Sequence, residues 1–115
     1  MKPGLLAILA AGVALIATHV PANALDKGWW VVLASFPQEP WERQRSDAEA
    51  IGRKAEPCGL KVFNDLSGKF RGFAPGRNVF VVGAFLPKPR AEEQLRAARP
   101  CFPDAYLKYG SYAGE

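Results

Sequence analysis

Two segments of the chain are apolar at almost every consecutive position, and both have the composition of β-strands. They are WWVVLASF at 29–36 and NVFVVGAF at 78–85, and a proline follows each of them closely. A strand with one face in water alternates apolar and polar side chains, and these two do not. The pattern therefore predicts two central strands whose second face needs cover from a membrane, a layer of helices, a partner or a ligand.

Two shorter strands and two helices complete the predicted order. The shorter strands are 60–66 and 105–109. Ser46 and Glu49 are spaced as a capping box at the start of the first helix. Small and apolar side chains follow at spacings of three and four, namely Ala48, Ile51, Ala55 and Cys58. The second helix begins at Pro89 and ends before Pro100, with acidic residues in its first turn and basic residues in its last.

The resulting order, β-α-β-β-α-β, predicts an α+β fold of the ferredoxin-like kind. Such a chain forms a four-stranded antiparallel sheet with both helices on one face. No further element is predicted to cover the other face. We therefore expect the central strands to expose an apolar surface there.

The first 24 residues have the layout of a secretory signal peptide. A basic start precedes an uncharged apolar stretch, and Ala22-Asn23-Ala24 fits the small-x-small cleavage pattern. The apolar stretch is short for a membrane span, which needs about 20 residues. We predict a signal peptide at 1–24, an exported domain at 25–115 with its core at 29–109, and no membrane span in that domain. An uncleaved N-terminal anchor is the alternative, and it also exports the domain.

Cys58 and Cys101 are the only two cysteines, and each lies at the end of a predicted helix. Two cysteines in an exported chain usually pair. Because both helices lie on one face of the predicted sheet, their ends would be neighbours, which favours a Cys58–Cys101 disulfide. Closing a loop of about 40 residues contributes on the order of 3–4 kcal/mol to stability.

The charge of the chain is mildly basic. The net charge of +4 becomes +3 once Lys2 is removed with the predicted signal peptide. Export argues against nucleic acid as the partner, and an anionic polymer of the cell envelope is a more natural one. The alternative is that the charge only serves solubility.

The residues of an enzyme active site are missing from the predicted domain. The only histidine, His19, lies in the predicted signal peptide, so no imidazole base pairs with Ser or Cys. Two cysteines do not make a zinc site, and the glycines do not form a phosphate loop. We therefore expect no catalytic residues, no metal and no cofactor.

The segment 67–76 is the most distinctive loop. It interleaves Phe70 and Phe73 with Lys69 and Arg71, and Arg77 follows it. Aromatic rings stack on the apolar faces of sugars, and Arg or Lys pairs with carboxylates, so a glycan contact is one interpretation. The other is a hairpin loop whose phenylalanines pack on the end of the core.

These residues resemble a SPOR domain, the sporulation-related repeat of exported bacterial proteins. The resemblance covers about 29–109 and rests on several segments in order: WWVVLASF, CGLKV, GRNVFVVGAF, PRAEEQL and PDAYLK. It implies the same β-α-β-β-α-β fold, a periplasmic location and binding to peptidoglycan glycan strands. The family prefers strands stripped of stem peptides, as found at septa during cell division, and the glycan lies across the open sheet face.

The family pattern V-Q-x-G-S-F applies to the first strand with two departures. Val32 stands at the Gln position and Ala34 at the Gly position, whereas Ser35 and Phe36 match. Some glycan-binding members have an aromatic residue and an Arg at the start of the third strand. Arg77 and Val79 fall at those places here.

Alternation along the strands divides the residues between two faces. The helix face receives Trp29, Val31, Leu33, Phe80 and Val82. The predicted ligand-binding set is the open face and its rim, namely Trp30, Val32, Ser35, Arg77, Val79, Val81, Tyr106 and Lys108. We expect this set to bind peptidoglycan glycan strands. The alternative is an envelope protein–protein interaction or homodimerisation module that kept the fold and lost the glycan site, since an exposed apolar patch usually marks an interaction surface.

Overall fold

The computed structural model describes residues 25–114, so the predicted signal peptide lies outside the described residues. The elements are β1 (Lys27–Pro37), α1 (Gln44–Ala55), β2 (Phe63–Leu66), β3 (Phe70–Arg71), β4 (Arg77–Phe85), α2 (Lys88–Ala98) and β5 (Tyr106–Tyr112). The α+β class is confirmed. The predicted strand number is wrong, because the sheet has five strands rather than four, and the additional strand is the two-residue β3.

The five strands form one antiparallel sheet in the order β2-β4-β1-β5-β3. The two fully apolar segments are its central pair, β1 and β4. Each of these two strands therefore has a neighbouring strand on both sides, which satisfies its main-chain hydrogen bonds.

The helix face contains the main core, as alternation predicts. Val31 and Leu33 of β1 and Phe80 and Val82 of β4 pack there, and Trp29 lies against the same cluster. The helices contribute Ile51 and Ala55 from α1 and Ala91 and Ala98 from α2. Each helix therefore buries one narrow apolar stripe on the sheet.

The start of α1 differs from the predicted capping box. A 3₁₀ turn at Trp41–Arg43 leads into the helix, which begins at Gln44. Ser46 is already inside the helix, and its hydroxyl donates to the Arg43 carbonyl oxygen at 3.0 Å. No side chain caps this end. The box prediction is wrong because the 3₁₀ turn extends the helical path upstream of Ser46.

The predicted disulfide between Cys58 and Cys101 is confirmed, with the two Cα atoms 6.3 Å apart. Cys58 ends the 3₁₀ turn that follows α1, and Cys101 lies just after α2, so the bond ties the two helix ends together. Disulfides persist in oxidising compartments outside the cytoplasm, which supports an extracytoplasmic setting. Within 25–114, no helix is long and apolar enough to cross a membrane.

The second face of the sheet is covered, so the prediction of an open face is wrong. Trp30, Val32, Val79 and Val81 were all expected to be exposed there, and each is at most 3% exposed. They form a second core cluster with Phe70 and Ala84, and Phe73 and Tyr112 pack against it. The cover is the stretch from the start of β2 to the residue before β4, residues 63–76, which we call the covering segment.

The strand order explains why the covering segment closes over this face. β2 and β3 are the two edges of the sheet, yet only the 3₁₀ turn Ser67–Lys69 separates them in sequence. The edges of a flat five-stranded sheet lie about 19 Å apart, at about 4.8 Å per strand spacing. Three residues rising about 2 Å each cannot span that distance. The sheet must therefore curl until its edges meet.

Polar contacts join β2 and the 3₁₀ turn to the end of β5, the strand that neighbours the opposite edge. The Tyr112 hydroxyl of β5 donates to Asp65 of β2, and Lys69 lies 3.4 Å from the same carboxylate. Partial burial raises the pKa of the Asp65 carboxyl, but hydrogen bonds from Tyr112 and the Leu66 amide, together with Lys69, outweigh it and hold the pKa below its usual value. The Ala113 amide also donates to the Lys69 carbonyl oxygen at 2.7 Å.

We expect Gly110→Ala to destabilise the fold by about 2 kcal/mol. A Cβ at this position would lie 2.7 Å from the Arg71 carbonyl oxygen and 2.8 Å from the Phe73 ring, so the covering segment would have to move. Urea denaturation measures the free energy of unfolding. The matched control is Gly52→Ala in α1, where a Cβ meets nothing within 4 Å. That change should stabilise the protein by about 0.5–1 kcal/mol, and equal effects at the two sites would contradict the close approach.

We expect the Asp65 contacts to make the fold sensitive to acid. Because the pKa of Asp65 is lowered in the folded state, its contribution is complete above the unfolded-state pKa and is lost as pH falls through the folded-state pKa. Asp65→Asn should cost about 1–3 kcal/mol at neutral pH, and the difference from the native chain should shrink below about pH 4. Denaturation from pH 7 to 3 measures this, with exposed Glu92→Gln as the control. A difference that stays constant across this range would refute the assignment.

Candidate ligand-binding surface

Five of the eight predicted site residues lie together around one open depression. They are Ser35, Arg77, Val79, Tyr106 and Lys108, and the depression measures about 250 Å³. The covering segment supplies the remaining lining residues, Ser67, Phe73 and Ala74. The depression lies on the second face of the sheet, beside the covering segment rather than beneath it.

The other three predicted site residues do not line this depression. Trp30, Val32 and Val81 are in the second core cluster, where they pack against aromatic rings of the chain itself. Their exposure was predicted because strand alternation alone assigns a face but does not reveal what covers it. Val32, at the family's Gln position, is 1% exposed and offers no surface to a ligand in this structure.

The pairing of β1 with β4 holds Arg77 at the edge of the depression. Ser35 pairs with Val79 and Pro37 with Arg77 in the register of these strands. The Arg77 guanidinium donates from Nε to Ser35 Oγ and from Nη2 to the Ser35 carbonyl oxygen, both at 2.9 Å. A guanidinium has five N–H donors in one plane, so donors remain for an anionic ligand.

Strand β5 contributes an aromatic ring and a second cation. Tyr106 is 49% exposed, and Lys108, two residues further on, lies on the same side of the strand and is also exposed. Phe73 is half-buried and stacks on Phe70, with ring centroids 4.5 Å apart and an angle of 15° between the planes. The depression therefore combines Tyr106, an amphipathic ring with an apolar face and a polar tip, with two basic side chains.

The 67–76 loop has two interpretations, a glycan contact and a hairpin whose phenylalanines pack on the core, and they apply to different phenylalanines. Phe70 is 3% exposed and packs on the second core cluster, as a core residue would. Phe73 lines the depression. Ser67 and Ala74 were not predicted as site residues. Ser67 is buried, and its hydroxyl accepts the Arg77 amide at 2.9 Å.

Positive charge dominates this face of the sheet. Strands β2 to β5 and the covering segment carry Lys69, Arg71, Arg77 and Lys108 against a single acid, Asp65, which is already bonded to Tyr112 and Lys69. Most other acidic residues of the described chain lie on the helices and their connections. The local field therefore favours an anionic ligand.

The described part of the chain, 25–114, contains no group of three or more His, Cys, Asp or Glu residues arranged to hold a metal ion. The depression itself is lined by neither His nor a carboxylate. Its side chains are suited to binding through stacking, hydrogen bonds and charge.

Comparison with known proteins found no matching family model, no matching curated protein and no matching solved structure. The resemblance to SPOR domains therefore rests on the sequence segments alone.

Proposed function

We propose that this protein is a non-catalytic periplasmic module that binds peptidoglycan glycan strands in the depression. The observation that carries the proposal is the meeting of an exposed tyrosine, Tyr106, with two cations, Arg77 and Lys108, around one open hollow. A sugar ring has an apolar face that stacks on an aromatic ring, and its hydroxyl and carboxylate oxygens accept hydrogen bonds from Arg, Lys and Ser.

The positive charge of the depression supports the proposal that its ligand is a glycan strand stripped of its stem peptides. Removing a stem peptide by hydrolysis of its amide bond frees the carboxylate to which the peptide was attached. A stripped strand is therefore a regularly spaced polyanion. The planar guanidinium of Arg77, oriented by two bonds to Ser35, is suited to a carboxylate. The Lys108 ammonium adds positive charge and does not require a particular orientation of the carboxylate.

The arrangement of the strands supports the resemblance to SPOR domains. β1 and β4 are central, β5 and β2 flank them, and both helices lie on one face. The disulfide is in keeping with the periplasm. The site proposed here differs from a glycan lying across the whole sheet, because the covering segment occupies the middle of that face. Glycan would instead bind along β5 and the ends of β1 and β4.

The alternative, an interaction or homodimerisation module, was motivated by an exposed apolar face. Val32 and Val79 are buried by the chain itself, at 1% and 3% exposure, so that face is not available for a partner in this structure. The alternative becomes an outcome of the experiment below.

We expect Tyr106→Ala and Lys108→Ala each to weaken binding to sacculi about fivefold, which corresponds to ~1 kcal/mol. The first change removes the exposed ring, and the second removes one cation. The assay is sedimentation of the protein with purified sacculi, with and without amidase treatment to strip the stem peptides. Treatment should increase the pelleted fraction, and added salt should decrease it.

Matched controls are available on the same molecule. Tyr109→Ala removes an exposed tyrosine of the same strand whose ring packs on Trp29 of the helix face, and Lys61→Ala removes an exposed lysine outside the depression. Both variants should pellet like the native protein. Absence of pelleting with either form of sacculi would contradict the proposal. In that case, a concentration-dependent dimer in analytical ultracentrifugation would favour the homodimerisation alternative.

A further inference from the structure

Arg77 of the proposed glycan site is bonded to two serines, one on each side of it. Its guanidinium donates to the hydroxyl and to the carbonyl oxygen of Ser35 on β1, both at 2.9 Å. Its main-chain amide donates to the hydroxyl oxygen of Ser67, also at 2.9 Å. Because β4 lies between β2 and β1 in the sheet, Ser67, which follows the last residue of β2, approaches Arg77 from the side opposite to Ser35.

Ser67 continues the hydrogen bonding of β2 beyond the end of that strand. The last pair between β2 and β4 is Leu66 with Asn78, so Ser67 and Arg77 come next in this register. The chain turns away into the 3₁₀ turn at this point, and the side-chain oxygen of Ser67 takes the place of a main-chain acceptor. Ser67 is 1% exposed, so its hydroxyl is shielded from water. A residue without a hydroxyl would remove the acceptor of the Arg77 amide.

The covering segment is held in place on either side of Ser67. Two residues before it, Asp65 accepts a hydrogen bond from the hydroxyl of Tyr112. Two residues after it, the Lys69 carbonyl oxygen accepts the amide of Ala113 at 2.7 Å. Tyr112 is the last residue of β5, and Ala113 follows it. Ser67 therefore connects Arg77 to the strand that carries the tyrosine and the second cation of the depression.

These bonds fix Arg77 at both of its ends. Ser67 holds the main chain from which the side chain extends, and Ser35 holds the guanidinium. A carboxylate can accept two parallel bonds from a guanidinium, whereas a carboxamide has only one acceptor oxygen. Donors that are already oriented lose less conformational entropy when a ligand binds. A fixed Arg77 therefore favours a carboxylate over the corresponding amide.

We propose that Ser67 is a positioning residue of the glycan site, and that it holds Arg77 in the orientation that selects a free carboxylate over an amide. Its role is exerted through Arg77 and requires no contact between Ser67 and the ligand, in keeping with the burial of Ser67. This inference rests on the proposed function. It adds the residue that would let the site distinguish a stripped strand, which carries the carboxylate, from a strand whose stem peptide is attached through an amide.

The test compares two ligands that differ only in this group, N-acetylmuramic acid and its carboxamide. Each is titrated into the purified protein at neutral pH, and binding is followed by two-dimensional NMR of the main-chain amide signals. The native protein should bind the acid about tenfold more tightly than the carboxamide. Equal affinity of the native protein for the two ligands would overturn the proposal.

Ser67→Ala should weaken binding of the acid about fivefold and change binding of the carboxamide by less than about twofold. A general loosening of the depression would weaken binding of both ligands equally, and that result would contradict the proposal. The matched control is Ser46→Ala, which removes an exposed hydroxyl of α1 that is bonded to the Arg43 carbonyl oxygen. This variant should bind both ligands like the native protein.

A second pair of variants separates the hydroxyl from effects on folding. Thr and Val have nearly the same shape and differ in the hydroxyl, so the cost of an added methyl group at this buried position is common to Ser67→Thr and Ser67→Val. Ser67→Thr should bind the acid about fivefold more tightly than Ser67→Val, because only threonine keeps the acceptor for the Arg77 amide. Equal binding by the two variants would refute the role of the hydroxyl.

A double-mutant cycle tests whether Ser67 acts through the guanidinium. Arg77→Lys keeps the positive charge and removes the planar fork of donors. Adding Ser67→Ala to this variant should cause no further loss of affinity for the acid. A further loss as large as that in the native background would show that Ser67 acts on the depression as a whole, and it would overturn the proposal.

The sacculus assay separates failure of this inference from failure of the proposed function. Ser67→Ala should pellet about equally with amidase-treated and untreated sacculi, whereas the native protein should prefer the treated form. If Ser67→Ala keeps the native preference, glycan binding stands and the positioning role is wrong. If the native protein pellets with neither form, the proposed function is wrong, and the titrations with the two sugars decide by themselves whether Ser67 positions Arg77 for a carboxylate.

Discussion

The structure depends on one short connection. Three residues, Ser67–Lys69, join β2 to β3, although these strands form opposite edges of a five-stranded sheet. So short a turn forces the edges together, and the sheet curls. Closing the curl buries Trp30, Val32, Val79 and Val81 without adding a layer of helices. Two strands that are apolar on both faces need cover on both, and the covering segment of the same chain supplies it on the second face of the sheet.

A closed second face limits where a ligand can bind. The covering segment fills the middle of that face with Phe70 and its neighbours and leaves the open depression beside it. The depression contains Arg77 and Lys108 beside Tyr106 and suits an anion.

Much of the fold was predictable because its signals are local. Strand alternation placed Val31, Leu33, Phe80 and Val82 under the helices, and the helix ends carried the two cysteines that pair. The grouping of Arg77, Tyr106 and Lys108 was also predictable, since the face of a strand follows from its period of two and the order of the strands brings these residues together. Ser35 joins them only because a register irregularity between Val32 and Ala34 interrupts the alternation of β1, which no periodic pattern contains. The Ser46 capping box failed for a local reason, because a 3₁₀ turn upstream already began the helix.

The sequence by itself determined which side chains share a face where the strands are regular, and which positions lack a side chain. The apolar residues of β1 and β4, the glycines at 83 and 110, and the phenylalanines of 63–76 are all present in the printed chain. Only the tertiary structure decided that the phenylalanines of the covering segment fold onto the apolar residues of β1 and β4. Residues 70–71 are too few to be recognised as a strand, and their partners, Tyr112 and Ser111, lie some forty residues away. Pairing of this kind is set by the geometry of the whole sheet, which no local pattern of hydrophobicity contains.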